Sequence, residues 1–359
     1  MPRSERLARA AFAAGFLVAL AARVALLHRF AGNFDVASYT EVVAILRRGG
    51  DFYLETPRYN YSPLWAYVLL GLDGLASLVG CSLGTAVGTL LIAVDAATAL
   101  VLRRLAGGGR RGALAGLLFF ANPVSIFVSG FHLQFDNLAI LMLLLAIWCV
   151  GLPALSRTGT VAALSLSLLV KHVTVFFPPL FLAMPGRKGL RPLAAAAPYA
   201  VFAAAFLPSW RSWRGIRANV VGYRSLAEDY GGAMLRSVPG APSWLPTAVF
   251  LAAVATALVL LRRVELARAC LMLFLVMLLF VPGVCEYYFV WPIALGALLG
   301  GAGYAVYTLV VASFFLGSPD GLNLPLLHLP GWHGLWWSVL FWLAWEIRRL
   351  RAAPAPAPS

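Results

Sequence analysis

The chain is short of charge, shorter still of acid, and has too few cysteines to build a framework or a metal centre. Only 12% of its 359 residues are Asp, Glu, Lys or Arg, about half the share of a soluble domain. By contrast 61% are apolar, and mean hydropathy is +0.84. That balance excludes a water-soluble globular fold. Cys81, Cys149, Cys270 and Cys285 lack metal-ligand spacing, and Cys149 and Cys270 fall within or beside apolar segments, so they read as small hydrophobes. The dyad alternation of a membrane β-barrel is missing. Arg3, Arg6 and Arg9 precede the first apolar stretch as in a signal peptide, but no convincing small-residue cleavage site follows, so the stretch reads as a retained helix.

What remains is a series of apolar stretches, each of roughly 15 to 22 residues, separated by short basic clusters. Only helices satisfy their own backbone polar groups in lipid. The expected fold is all-α, a polytopic transmembrane helical bundle of roughly ten full crossings plus a short-helix hairpin. The net charge of +14 comes from dispersed residues and forms no single patch, so no nucleic-acid partner is expected. Arg3/Arg6/Arg9, Arg103/Arg104/Arg110/Arg111, Arg157, Arg187/Lys188/Arg191, Arg262/Arg263/Arg268 and Arg348/Arg349/Arg351 are assigned to the cytoplasmic side. Both termini of a multi-pass cell (plasma or inner) membrane protein then lie in the cytoplasm.

That assignment imposes parity. Three apolar stretches, 9–27, 61–80 and 84–102, separate the first two basic clusters, so one must not cross. The segment 61–80 carries Asp73 and opens with Ser-Pro, and is expected to lie as an interfacial helix on the outer surface. The external loop 28–83 also contains an amphipathic stretch with Val42, Ala44, Ile45 and Leu46 opposed to Glu41, Arg47 and Arg48. The segment 160–184 has cytoplasmic flanks on both sides, yet ~25 residues cannot cross ~30 Å twice. It is expected to be a hairpin of two short helices with Lys171 and His172 at its tip. Further crossings follow at 193–208, 243–261, 269–283, 288–300, 304–317 and 334–347, with 209–242 and 318–333 external.

Most acids then fall outside: Asp35, Glu41, Asp51, Glu55, Asp73, Asp136, Glu228, Asp229, Glu286 and Asp320. Asp35, just past the first crossing, suits a general base acting on an acceptor hydroxyl; it equally suits a cap for the helix over 38–48. Asp136, with His132, Gln134 and Asn137, either lines a site or caps the next helix. A mid-membrane Lys171 with His172 suits a phosphate, or a structural ion pair. Arg58, Tyr59 and Tyr61, and Glu286 with Tyr287 and Tyr288, offer polar and aromatic surfaces for sugars, or interfacial belt residues. Arg211, Arg214, Arg217 and Arg224 run against the positive-inside trend and suit anionic headgroups or a phosphorylated substrate.

Three blocks in order, NFDVASYTEVVAILRRGGDFYLETPRYNYSPLWAYVLL, LFFANPVSIFVSGFHLQFDNLAILMLLLAI and LSLLVKHVTVFFPPLF, resemble the GT-C superfamily of integral membrane glycosyltransferases. Within it they look like successive blocks of the bacterial polyprenyl-phosphate-mannose-dependent transferases and of the dolichol- and GPI-pathway enzymes. The resemblance covers 10–185 and implies an inverting transfer of a sugar, mannose first, from a polyprenyl-phosphate donor to a hydroxyl of a lipid-linked or glycan acceptor on the external face. By that resemblance Asp35 is the catalytic base, Lys171 and His172 lie near the donor phosphate, and Asp136 and His132 shape the sugar and acceptor pocket. Gln134, Arg58, Tyr59, Tyr61, Glu286 and Tyr287 join that pocket as candidates. The loops lack an Asp-Asp pair and a clear Asp-x-Asp, so no cofactor is assigned and a divalent metal is left undecided. The expected organisation is a catalytic module over 1–208, a variable transmembrane module over 209–348 and a disordered cytoplasmic tail over 349–359. A transporter or lipid flippase is the alternative, although no internal repeat is visible.

Overall fold

The computed structural model describes residues 3–29, 32–152, 158–183, 189–223, 230–317, 324 and 331–352. Every regular element among them is helical. Arg157, Arg187, Lys188, Arg224, Glu228, Asp229, Asp320 and the segment 353–359 lie outside the described residues. The chain divides into two units, Met1–Arg224 and Ser225–Ser359.

In the first unit α1 (Arg3–Arg29) and α5 (Leu83–Leu105) are the two helices long and apolar enough to cross a membrane unaided. At 1.5 Å per residue they reach ~40 and ~35 Å. Two further spans arise if bent pairs are counted: α6 (Gly109–Phe120) with α7 (Pro123–Gly130), bent by 50°, and α10 (Leu190–Ala205) with Leu207–Val221, bent by 59°. The first bend has a local cause, because Asn122 caps α7 through Val124 N–H and Pro123 cannot continue the α6 ladder. The other apolar helices run to 10–17 residues. The described residues are thus those of an all-helical protein whose apolar helices suit a membrane and are mostly shorter than one straight crossing.

Between α1 and α5 the expected external loop is indeed built of helices: α2 (Phe34–Arg47), α3 (Phe52–Glu55) and α4 (Pro63–Val79). Each start is written in the sequence, by Asn33, Asp51 and Ser62–Pro63 respectively, and α4 ends on Gly80 at φ 72°. Arg47 pairs with Asp73, tying the outer faces of α2 and α4. The buried face of α2 is Val42, Val43 and Ile45 with Tyr39; Ala44, expected inside, is exposed. Val43 takes its place because the stripe follows a period of 3.6 that the two-sided polarity of this short segment obscures.

The segment expected as a hairpin contains α9 (Thr158–Val170) followed, after a break at Lys171, by tighter turns over His172–Phe176 and Pro178–Ala183. Pro178 and Pro179 explain why the second limb is not an α-helix. α8 (Asp136–Val150) packs on α9, and Ser167 Oγ donates to the Ala139 carbonyl at 2.7 Å.

Two boundaries differ from expectation. Residues 209–221, expected in the external loop 209–242 and in the second module, form with 207–208 a run of helical turns that includes α11 (Trp213–Ile216) and belongs to the first unit. Asn219 Nδ2 donates to the carbonyls of Tyr53 and Thr56 at 3.2 and 3.1 Å, and Ser212 donates to Asp51. The expected tail begins later as well, since α16 (Gly331–Ala352) contains Arg349 and Arg351.

The second unit comprises α12 (Leu245–Leu261), α13 (Leu266–Phe280), α14 (Ile293–Leu299), α15 (Ala302–Gly317) and α16. Glu346 is fully buried between Arg268 (3.7 Å) and Arg349 (3.2 Å), and Arg349 also donates to the Gly300 carbonyl at 2.9 Å. The start of α13 and the end of α16 are thereby held together.

Candidate functional site

The short connection from α7 to α8, Phe131–Phe135, is the hub of the first unit. Leu133 within it has φ 53°, the one non-glycine residue among those described with a positive φ, and its side chain is fully buried. A branched residue there costs ~1–2 kcal/mol, a strain of the kind concentrated at sites whose geometry is imposed by their surroundings.

Two contacts bring α2 onto this connection. Asn33 accepts from Val36 N–H at 2.9 Å as the α2 cap, while its Nδ2 donates to the His132 carbonyl at 2.8 Å. Tyr39 donates to the Leu133 carbonyl at 3.4 Å. The cap of α2 is therefore Asn33, and Asp35 sits free of that duty in the first turn. Burial raises the Asp35 carboxyl above its ordinary value; Lys171 and the Gln134 amide act against that rise, and Asp136 adds to it. Asp35, Gln134, Asp136 and Lys171 thus form one electrostatic group. Gln134 is fully buried, and its Oε1 accepts no hydrogen bond among the described residues.

Asp136 also does not cap its helix: the cap position of α8 is Phe135, without a side-chain bond. Its carboxylate instead lies 2.5 Å from Lys171 Nζ, the two side chains 0% and 4% exposed. The anion that Lys171 meets is therefore a carboxylate of the protein itself. The ammonium also faces the rings of Phe135 at 4.9 Å and Tyr61 at 5.4 Å. Phe135 stacks on Trp65 at 4.0 Å, so the wall that shields the pair is one aromatic core shared with Tyr39, Tyr53 and Tyr59.

The remaining candidates divide. Tyr61 belongs to the site, whereas Tyr59 is 1% exposed and donates to the Ser62 carbonyl at 2.5 Å, which makes it a brace of the loop and not an open sugar platform. Arg58 is partly exposed, 3.6 Å from Glu41 and over the Phe34 ring at 4.7 Å, beside Asp35 in sequence. His172 follows Lys171 half-buried, its Nδ1 without a hydrogen bond among the described residues. Glu286 and Tyr287 lie in the second unit, in the turn Glu286–Val290. Among the described residues no group of three or more His, Cys, Asp or Glu side chains could hold a metal.

Sequence reasoning missed the deepest polar cluster. Arg23 of α1 and Asp95 of α5 are both fully buried; Asp95 Oδ2 accepts from Arg23 Nε (3.2 Å) and Nη2 (3.0 Å), Ser125 (3.2 Å) and Ser129 (2.5 Å). Its Oδ1 accepts from Asn137 Nδ2 at 2.7 Å. Arg23 Nη1 donates to the Phe120 carbonyl. Ser125 and Ser129 precede the strained connection and Asn137 follows it, so this network grips both its ends. The available signal was an Arg and an Asp within two apolar spans, an expense that marks an inward-facing pair. No known family's sequence profile matches the chain, and no characterised protein does so significantly.

Proposed function

We propose that the protein is an inverting glycosyltransferase that moves a sugar, mannose first, from a polyprenyl phosphate to a hydroxyl of a lipid-linked or glycan acceptor at the external membrane face. The observation that carries this reading is the convergence of Asp35, Asp136, Gln134 and Lys171, contributed by three separate segments. A carboxyl made more basic by burial is suited to accept a proton at neutral pH. In the reaction the acceptor O–H proton passes to Asp35 and the acceptor oxygen bonds to the anomeric carbon. The bond from that carbon to the phosphate oxygen breaks, and polyprenyl phosphate leaves with the electron pair. Lys171 has three N–H donors, so its ion pair with Asp136 is compatible with a phosphate oxygen as a further partner, and its charge stabilises the leaving group. Gln134 Oε1 offers an acceptor for a sugar or acceptor hydroxyl. The ten-crossing topology, with both termini cytoplasmic and α2–α4 outside, belongs to this reading. It rests on the basic clusters beside the helix ends.

Incubating the purified protein with a panel of radiolabelled polyprenyl-phosphate sugars and membrane lipid extract tests the proposal. Transfer from one donor, lost in Asp35→Asn with donor binding retained, is expected. Translocation of lipid without any transfer would instead make the protein a flippase.

A further inference from the structure

The segment 207–223, which the transferase chemistry does not use, has two unlike faces. Its underside is fixed: Ser212, Gly215 and Ile216 are buried, at the i, i+3 and i+4 spacing of one helical face. Gly215 sits against the Tyr53 carbonyl so closely that a Cβ there would collide with it, and Ile216 enters the aromatic core. The opposite face carries Leu207, Trp210, Trp213 and Val221, exposed by 66, 65, 58 and 70%. Interleaved with them are Arg211, Arg214 and Arg217, all exposed. None of these three forms an ion pair among the described residues; Arg211 lies over the Trp210 ring at 5.7 Å. From 189 to 223 the sequence has no Asp or Glu. Among the described residues the two acids of the adjoining α3 region are engaged elsewhere, Asp51 with Ser212 and Glu55 with Arg48.

We infer that this face is a docking surface for anionic phospholipid headgroups of the leaflet on the Asp35 side. A helix facing hydrocarbon alone would not carry three unpaired guanidinium groups, and one facing water alone would not expose two indoles. The mixture belongs at headgroup depth, where Trp is favoured and Arg meets phosphate. The sharp bend after α10 turns the chain out of the line of that helix, and the bonds to α3 fix its orientation. Anionic lipid thus contributes to holding the segment on the first unit, independently of any transfer reaction.

Full-length protein in neutral detergent is titrated with phosphatidylglycerol or phosphatidylcholine, and bound lipids are counted by native mass spectrometry. Wild type should prefer phosphatidylglycerol, and inorganic phosphate at equal concentration should not displace it. R211Q/R214Q/R217Q should weaken phosphatidylglycerol binding by roughly tenfold or more, with the Lys triple variant retaining most of it. R262Q/R263Q, in the second unit, should leave it unchanged. Where the triple Gln variant does not fold, R214Q alone is read in the same titration and should lose roughly fivefold. Equal binding of the two lipids, or unchanged phosphatidylglycerol affinity in the folded Gln variant, overturns the proposal.

Discussion

Lys171 Nζ lies 2.5 Å from Asp136 Oδ2 across the gap between α9 and α8, with both side chains closed off from solvent. Removing one partner of such a pair leaves an uncompensated charge, at a cost of about 3–5 kcal/mol, whereas removing both is far cheaper. Lys171→Met should therefore be strongly destabilised, and Lys171→Met/Asp136→Leu should recover most of the loss. Detergent thermal melts of wild type, Lys171→Met, Asp136→Leu and the double variant check this. A double variant no more stable than Lys171→Met would show that the pair is not the partner set that matters. Donor affinity of the folded double variant, compared with that of Asp136→Leu, then reports the role of Lys171 toward phosphate.

Asp35→Asn keeps shape and removes the base, so turnover should fall by at least about a hundredfold with donor affinity close to wild type. Asn33 already caps α2, so loss of a cap cannot account for such a result. Near wild-type turnover in this variant would move the base assignment to Asp136.

The same carboxyl gives a pH signature. Its raised folded value means that the protonated form is the one favoured by folding. The stabilisation is fully present below the unfolded carboxyl range and is lost as pH rises through the folded value. At neutral pH Asp35→Asn should thus melt no lower than wild type, with the difference in its favour shrinking on acidification. For activity the direction is opposite: the base must be ionised, so the acid limb of kcat/KM should fall at a higher pH than an ordinary carboxylate would give. Melts and rate profiles over the same pH series test both directions.

Leu133 offers a test of strain. Leu133→Ala removes buried carbon at a cost of about 2–5 kcal/mol and keeps the strained φ, whereas Leu133→Gly removes the strain as well. The usual order should therefore invert, with Gly at least as stable as Ala. A glycine variant clearly less stable than the alanine variant would show that the connection relaxes on its own.

Asn137→Ala deletes a hydrogen bond to a buried carboxylate, worth about 1.5–3 kcal/mol. Because Asn137 adjoins Asp136, kcat should drop more than donor affinity. Equal loss in both, or in neither, would separate the network from the site.

The elements that the sequence displayed openly were those with punctuation. Asn33, Asp51, Ser62–Pro63 and Gly80 mark the ends of α2, α3 and α4, and the paired prolines after Lys171 mark the segment where the α-helix does not resume. The attachment of 207–221 to the first unit was hidden, because it depends on backbone carbonyls of α3 that leave no trace in composition. The site itself was half legible. Asp35, Asp136, Gln134 and Lys171 stand out by type, yet their convergence depends on Asn33, a residue that reads locally only as a cap. The lysines carry a further clue: the chain has just two, Lys171 and Lys188, among its 28 basic residues, so a lysine inside an apolar segment is a choice of a compact charge over a guanidinium.

The spacing of Arg23 and Asp95 bears on how the chain enters the bilayer. They are 72 residues apart, so α1 leaves the ribosome well before α5 exists. A lone arginine within a span costs up to about 2.5–3.5 kcal/mol during insertion, while the rest of the apolar stretch of α1, in which only Ala19 besides Arg23 is buried even in the finished fold, favours lipid. The first helix thus enters carrying an unsettled debt that only α5 discharges, and α7 completes the cage through Ser125 and Ser129. The partner that fixes how α1 faces its neighbours is thus encoded 72 residues downstream, and a chain truncated before Asp95 lacks it.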